Sequence, residues 1–330
     1  MNTTTVEEED LAALAEELHG GYYTGIIVVR AVTFAIAIIG ITGNVLAYMT
    51  ASRLDSKTSG TTYIKCLAVA DTAAVFQDGI LEMGLPIFGL DVRTVNRYVC
   101  KGIAWYSWTT TIGGNYVLTM FTLDRLTALW LPVMYREKSK PIIAITLSLL
   151  AEAFAAGVCW PTLFLFDING QVCEIFNFDY FSEEQMVLFA NLAMFLFMLS
   201  IPFATILISN SLIIYKLRQN KKDGGGGSSL QQKKEREITM QLLTVSIAFM
   251  ITNAGVSIAV FATTVMNVDT PEKFAIRDFV NFFKELPAVS NNSMNFFLYV
   301  LSSQHFRTQF LTMIGRKRQT QKPAAAVTAK

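Results

Sequence analysis

Seven long apolar runs separated by short polar stretches constrain this chain more than any other feature of its sequence. They span Tyr23–Thr50, Thr62–Phe88, Val95–Leu129, Pro141–Phe166, Glu184–Leu217, Ile238–Met266 and Phe274–Leu301. A bilayer core takes roughly 20 apolar residues per helix. In hydrocarbon only helices and closed barrels satisfy their own backbone hydrogen bonds. The runs therefore predict an all-α membrane protein, a seven-transmembrane helix bundle. Composition agrees: 16% of the residues are charged, against about a quarter in soluble domains. The third run is interrupted by Lys101, Asn115 and several threonines, the pattern of a helix surrounded by other helices rather than by lipid.

Lys and Arg set the expected orientation. With the N-terminus outside, Arg53, Lys57, Lys65, Arg136, Lys138, Lys140 and the basic stretches from Lys216 to Arg236 and after Arg307 all fall on one side. The opposite side holds only Arg93, Arg97, Lys101, Lys273, Arg277 and Lys284, with Arg30 near it. Cytoplasmic loops carry the excess of Lys and Arg, so the N-terminus is expected outside the plasma membrane and the C-terminus inside. Residues 1–22 then form an extracellular N-terminus, 23–301 the membrane domain and 302–330 an amphipathic helix with a cytoplasmic tail. The third intracellular loop is expected over 218–237, with a flexible GGGGSS linker, natural or engineered, at 224–229. Asn2-Thr3-Thr4 is a glycosylation sequon. The chain has two histidines, His19 and His305, too few for a His-ligated metal site. No cofactor is expected, and no nucleic acid as partner; membrane lipids are.

Several short motifs then occur in order. Gly43-Asn44-Val45-Leu46 lies in the first run and Leu67-Ala68-Val69-Ala70-Asp71 in the second. A carboxylate inside a membrane helix is expensive and usually functional. Asp124-Arg125-Leu126 ends the third run, with Arg125 placed 25 residues after Cys100, and Leu131-Pro132-Val133-Met134-Tyr135 follows. Pro202, Phe249, Asn295-Phe296-Phe297-Leu298-Tyr299 and Ser302-Ser303-Gln304-His305-Phe306-Arg307 complete the series. Each is weak alone; a charged helix end or a small-residue packing site would read the same way. Their order over almost the whole chain resembles the rhodopsin-like (class A) G-protein-coupled receptors. The stretch from Asn291 to Arg307 most resembles the peptide-receptor branch, including invertebrate neuropeptide receptors.

That resemblance implies a disulfide between Cys100 and Cys173, and a polar switch of Asn44, Asp71, Asn291, Asn295 and Tyr299 that can hold a sodium ion at Asp71. It implies that Arg125 is restrained by Asp124 and by Glu235, and that a heterotrimeric G protein docks through Arg125 and Val133. The chain also departs from the family pattern. Gly114 stands where a sodium-coordinating Ser is common, Asn253-Ala254-Gly255 replaces Trp-x-Pro in the sixth run, and the seventh lacks the usual Pro after Asn295.

Two absences narrow the ligand, an extracellular peptide or small molecule. Ser107 stands where amine receptors carry Asp, and Val289 where opsins carry the retinal Lys. Asp78, Glu82 and Glu285 lie in the outer halves of their runs. Buried carboxylates need a cationic partner. It is either internal (Lys284, Lys101 or Arg97) or supplied by a ligand, for which a short cationic peptide fits best. Asp78, Glu82, Ser107 and Glu285 are the candidate ligand contacts. A seven-helix transporter or channel is the alternative, though no internal repeat supports it. No HExxH or GxSxG motif points to an enzyme.

Overall fold

The computed structural model describes residues 11, 13–54, 58–138, 140–169, 172–175, 193–222, 230–266 and 268–315. Its helices run α1 Gly20–Ser52, α2 Ser59–Ala74, α3 Arg97–Trp130, α4 Pro141–Val158, α5 Ile201–Lys222 and α6 Leu230–Val265. The pieces Pro271–Phe283, Glu285–Ser293 and Asn295–Ser302 are numbered together as α7, and α8 is Gln304–Met313. A two-turn helix, Pro132–Lys138, links α3 to α4. Below, "outer" means the end bearing Cys100 and "inner" the end bearing Arg125.

Helix starts are where local chemistry puts them. The first amides of a helix lack intrahelical partners, and side-chain oxygens supply them. Thr58 accepts from Thr61 N ahead of α2, Asn96 from Tyr98 N and Val99 N ahead of α3, and Thr270 from Lys273 N ahead of α7. The break in α7 at Lys284 follows from Pro287, which has no N–H to give the Phe283 carbonyl. Gly255 causes no break: α6 runs through it unbroken.

The outer half of the second run departs from α-helix, as a wider π-helix over Val75–Gly84 and a tighter 3-10 turn over Leu85–Phe88. Such segments re-aim side chains relative to a regular helix, and here they turn Gln77 and Asp78 inward. The fourth run is not helical to its end: its last residue, Phe166, opens β1 Phe166–Asn169, paired antiparallel with β2 Val172–Ile175. The loop expected over 218–237 is helical over much of its length, because α5 continues to Lys222 and α6 begins at Leu230. Lys, Arg, Gln and Glu favour helix strongly, so the helices outrun their apolar segments.

Among the described residues, four segments are long and apolar enough to cross a membrane by composition alone: Gly20–Ser52, Pro141–Leu165, Leu196–Asn220 and Arg236–Thr263. The other three, α2, α3 and α7, carry Asp71, Asn115, Arg125 and Asn295 in the bundle interior. Large apolar side chains face outward, Ile251 and Ile258 at 70% exposure, as a lipid-facing surface requires. The largest core cluster joins Tyr63, Phe121, Leu242, Phe249, Phe296 and Phe306 towards the inner end.

Candidate functional site

Polar side chains collect at three depths. At the inner end Arg125 is the largest fully buried side chain. Its Nη2 donates to Asp124 Oδ2 at 2.6 Å and its Nε to the same oxygen at 3.1 Å. Nη2 also donates to the Tyr135 hydroxyl. Ser59 of α2 donates to Asp124 Oδ2 at 3.1 Å and lies 2.8 Å from the Tyr135 oxygen. A guanidinium never loses its charge, so burying it demands such partners. The Asp124–Arg125 restraint expected from the sequence is therefore present; Tyr135 and Ser59 complete it. The Glu235 side chain, the other expected restraint, lies outside the described residues. Val133 is 75% exposed on the inner surface.

Beside this group, Glu237 near the base of α6 accepts from Ser303 Oγ at 2.7 Å and from His305 N at 2.8 Å. Ser303 also caps α8, accepting from Phe306 N at 3.1 Å. One carboxylate thus ties α6 to the N-terminus of α8, where helix partial charge favours an anion.

Halfway across, Asp71 is buried and accepts from Asn295 Nδ2 at 2.5 Å. Asn291, one turn earlier and also part of the expected switch, bonds elsewhere. Asn291 donates to Asn292 Oδ1 and accepts from Thr252 of α6, each at 3.1 Å, not bonding Asp71 directly. Both asparagines still line one small cavity with Asp71, Gly114 and Asn115. Asn44 donates to the Asn292 carbonyl, tying α1 to α7. Tyr299 is buried against Phe306.

At the outer end the acids divide. Asp78 is buried and accepts from Ser107 Oγ at 3.0 Å, so two candidate contacts are brought together. Glu82 lies 3.2 Å from Arg93, whose guanidinium also makes two hydrogen bonds to Asp91, at 2.9 and 2.7 Å. Burial would push the Asp91 carboxyl up, but the bonds and charge of Arg93 outweigh it and hold the carboxyl below its usual range. Arg93 is thus the internal cation, correcting the expectation of Lys284, Lys101 or Arg97. Arg97 and Lys101 instead reach Asp167 on β1, at 2.7 and 3.5 Å. Glu285 has no hydrogen-bond or ion-pair partner among the described residues. Cys100 is bonded to Cys173 of β2, closing a separation of 73 residues. Asn2 lies outside the described residues.

Arg93, Tyr135, Ser59, Glu237 and Glu152 received no site role from the sequence. Only Glu152 left a clear signal: it is the one charged residue in the run Pro141–Phe166. Its carboxylate packs against the backbone of Gly113, where a Cβ would meet Oε2 at 2.1 Å. The others lie in segment ends full of charged and hydroxyl residues, where no spacing marks one above its neighbours.

The family described as 7 transmembrane receptor (rhodopsin family) matches residues 43–299, from the glycine beside Asn44 to Tyr299 itself. A match of that extent, over a bundle carrying the polar residues in their expected layers, makes the chain a member of the rhodopsin family of seven-transmembrane receptors.

Proposed function

We propose that this receptor sits in the plasma membrane with its N-terminus outside, binds a short cationic peptide there and activates a heterotrimeric G protein at its inner face. The observation that carries the ligand class is the charge balance at the outer end. Asp78, Glu82, Asp91 and Glu285 gather there, and among the described residues Arg93 is the guanidinium paired with any of them, shared by Glu82 and Asp91. Among the described residues, Asp78 has the Ser107 hydroxyl as its hydrogen-bond partner and Glu285 has no hydrogen-bond or ion-pair partner. A carboxylate away from water needs a cation or a proton. A ligand Arg satisfies it, binding a carboxylate bidentately. Asp78, Ser107 and Glu285 are then the ligand contacts, and Glu82 acts through Arg93.

The inner face supports the coupling half. Arg125 is fully enclosed, so a transducer reaches it only after the bundle opens. Two-state elements of this kind are what a ligand biases. The test is nucleotide exchange on added G proteins in membranes holding the receptor, with a peptide panel as ligands. Exchange should depend on a cationic peptide and fall sharply in Arg125→Ala while peptide binding survives. Unchanged exchange in Arg125→Ala removes this reading.

A sodium ion at Asp71 belongs to the same proposal. The cavity offers a carboxylate and amide oxygens, the hard donors a sodium ion prefers, although Gly114 contributes no side-chain oxygen. Asp71 and Asn291 would hold the ion, which would supply a positive charge beside the buried acid. Agonist affinity should then depend on sodium against choline in the wild type and lose that dependence in Asp71→Asn.

A further inference from the structure

Arg125 needs room as well as partners. Asp124 and Tyr135 supply the polar contacts, Ser59 holds both of them in turn, and Gly60 of α2 supplies the space. A Cβ at Gly60 would lie 2.8 Å from Cζ, 2.8 Å from Nη2 and 3.0 Å from Nη1 of Arg125. The guanidinium therefore lies flat against the bare α2 backbone, and every other residue type would intrude on it.

We propose that Gly60 is a positioning residue for Arg125: by presenting no side chain, it lets the guanidinium stay parked against α2, and so keeps the receptor from coupling without ligand. This rests on the coupling role of Arg125 proposed above.

Gly40 and Gly79 make a different kind of contact. A Cβ at Gly40 would meet Ser293 Cα at 2.9 Å, and one at Gly79 would meet Ala37 Cβ at 2.4 Å. Those neighbours are backbone and the first side-chain carbon, so relief there requires whole helices to move apart. At Gly60 the obstructing atoms are the tip of a long side chain. A methyl group on Gly60 displaces that tip while leaving α2 in place. Once lifted off α2, the guanidinium loses its enclosed position, which costs the closed arrangement and not the open one. The substitution thus separates restraint of Arg125 from folding.

The experiment compares wild type with Gly60→Ala in nanodiscs, by two readouts. The first is the Arg125 side-chain resonance in protein labelled with nitrogen-15 arginine, assigned by its loss in Arg125→Lys. The second is nucleotide exchange on added G protein with no ligand present. The resonance should shift, and basal exchange should rise roughly three- to tenfold, since an open state populated at about 0.1–10% has room to grow by that factor. Adding Arg125→Ala to Gly60→Ala should abolish the gain. Should Gly60→Ala fold poorly, that double variant should restore folding by clearing the space, and failure to do so overturns the cradle. An unshifted resonance in folded Gly60→Ala also overturns it. A shifted resonance with unraised basal exchange, in a preparation whose wild type responds to agonist, refutes the restraint. Failure of the coupling reading looks different: the resonance shifts, but neither protein catalyses exchange with any agonist, and the restraint falls with the reading it rests on.

Discussion

Arg93 stands in front of Glu82 much as a ligand cation would, which changes what each outer acid should contribute to binding. Removing one partner of a desolvated charge pair costs about 2–5 kcal/mol, or roughly 30-fold and more in affinity. Glu285→Gln should show a loss of that order against a cationic peptide, and the loss should vanish against its Arg→citrulline analogue. Glu82→Gln should lose less, because Arg93 already neutralises it, in a pair 19% and 29% exposed at its two side chains and so partly screened. Equal losses in competition binding would place the ligand on Glu82 and refute the assignment. At the same scale, Gly40→Ala sets a Cβ 2.5 Å from Ser293 Cβ. Overpacking of this kind typically costs about 1–3 kcal/mol, so its melting temperature should drop clearly. Gly102→Ala, with nothing within 4 Å, should melt as the wild type does. The acids of this site were legible from residue type and depth alone. Arg93 was not, because it sits in a turn where several charges compete and only the folded loop selects its partner.

Two elements owe their placement to single links. The strand β2 is tied to α3 by the Cys100–Cys173 bond, and β1 is tied to the same helix by Arg97 and Lys101 through Asp167. Cys173→Ser should lower surface expression and ligand binding together, whereas Asp167→Asn, which leaves the disulfide in place, should leave expression near normal. At the inner end α6 is held to α8 by Glu237. Hydrogen bonds to a charged group contribute about 1.5–3 kcal/mol each, enough to bias an equilibrium between closed and open arrangements. In Glu237→Ala, the separation between spin labels on α6 and α8 should broaden towards longer distances. A distribution identical to the wild type would show that packing around Phe306 alone holds α8 in place.

Across the whole molecule, polar layers at three depths share the helices α2, α3 and α7. Asp71 lies between the outer acids and Arg125, and it joins α2 to α7 through Asn295. Asp71→Asn should reach the cell surface and bind agonist, yet change the agonist concentration needed for nucleotide exchange. A wild-type response would reduce the residue to packing. An epitope fused to the N-terminus should be reachable by antibody on intact cells; staining only after permeabilisation would invert the orientation.

The sequence by itself determined the membrane class, the helical bundle and the order in depth of Asp78, Asp71 and Arg125. Those follow from transfer free energy and helical rise, which depend on residue type and position along the chain alone. It also marked Cys100, Cys173, Asp71, Asp124 and Arg125, because their motifs hold a fixed order along the chain. Tertiary structure decided the partners. Asn291 turns to Thr252 and Asn292, Glu82 is taken by Arg93, and Tyr135 closes over Arg125 from a helix that begins seven residues later. Gly60 shows the limit most plainly. In the sequence it is one glycine among 20; its significance lies in the guanidinium that packing brings against it from α3. Hydrogen bonds and steric fit act over a few ångströms between helices distant along the chain, so only their packed arrangement selects among residues that composition leaves equivalent.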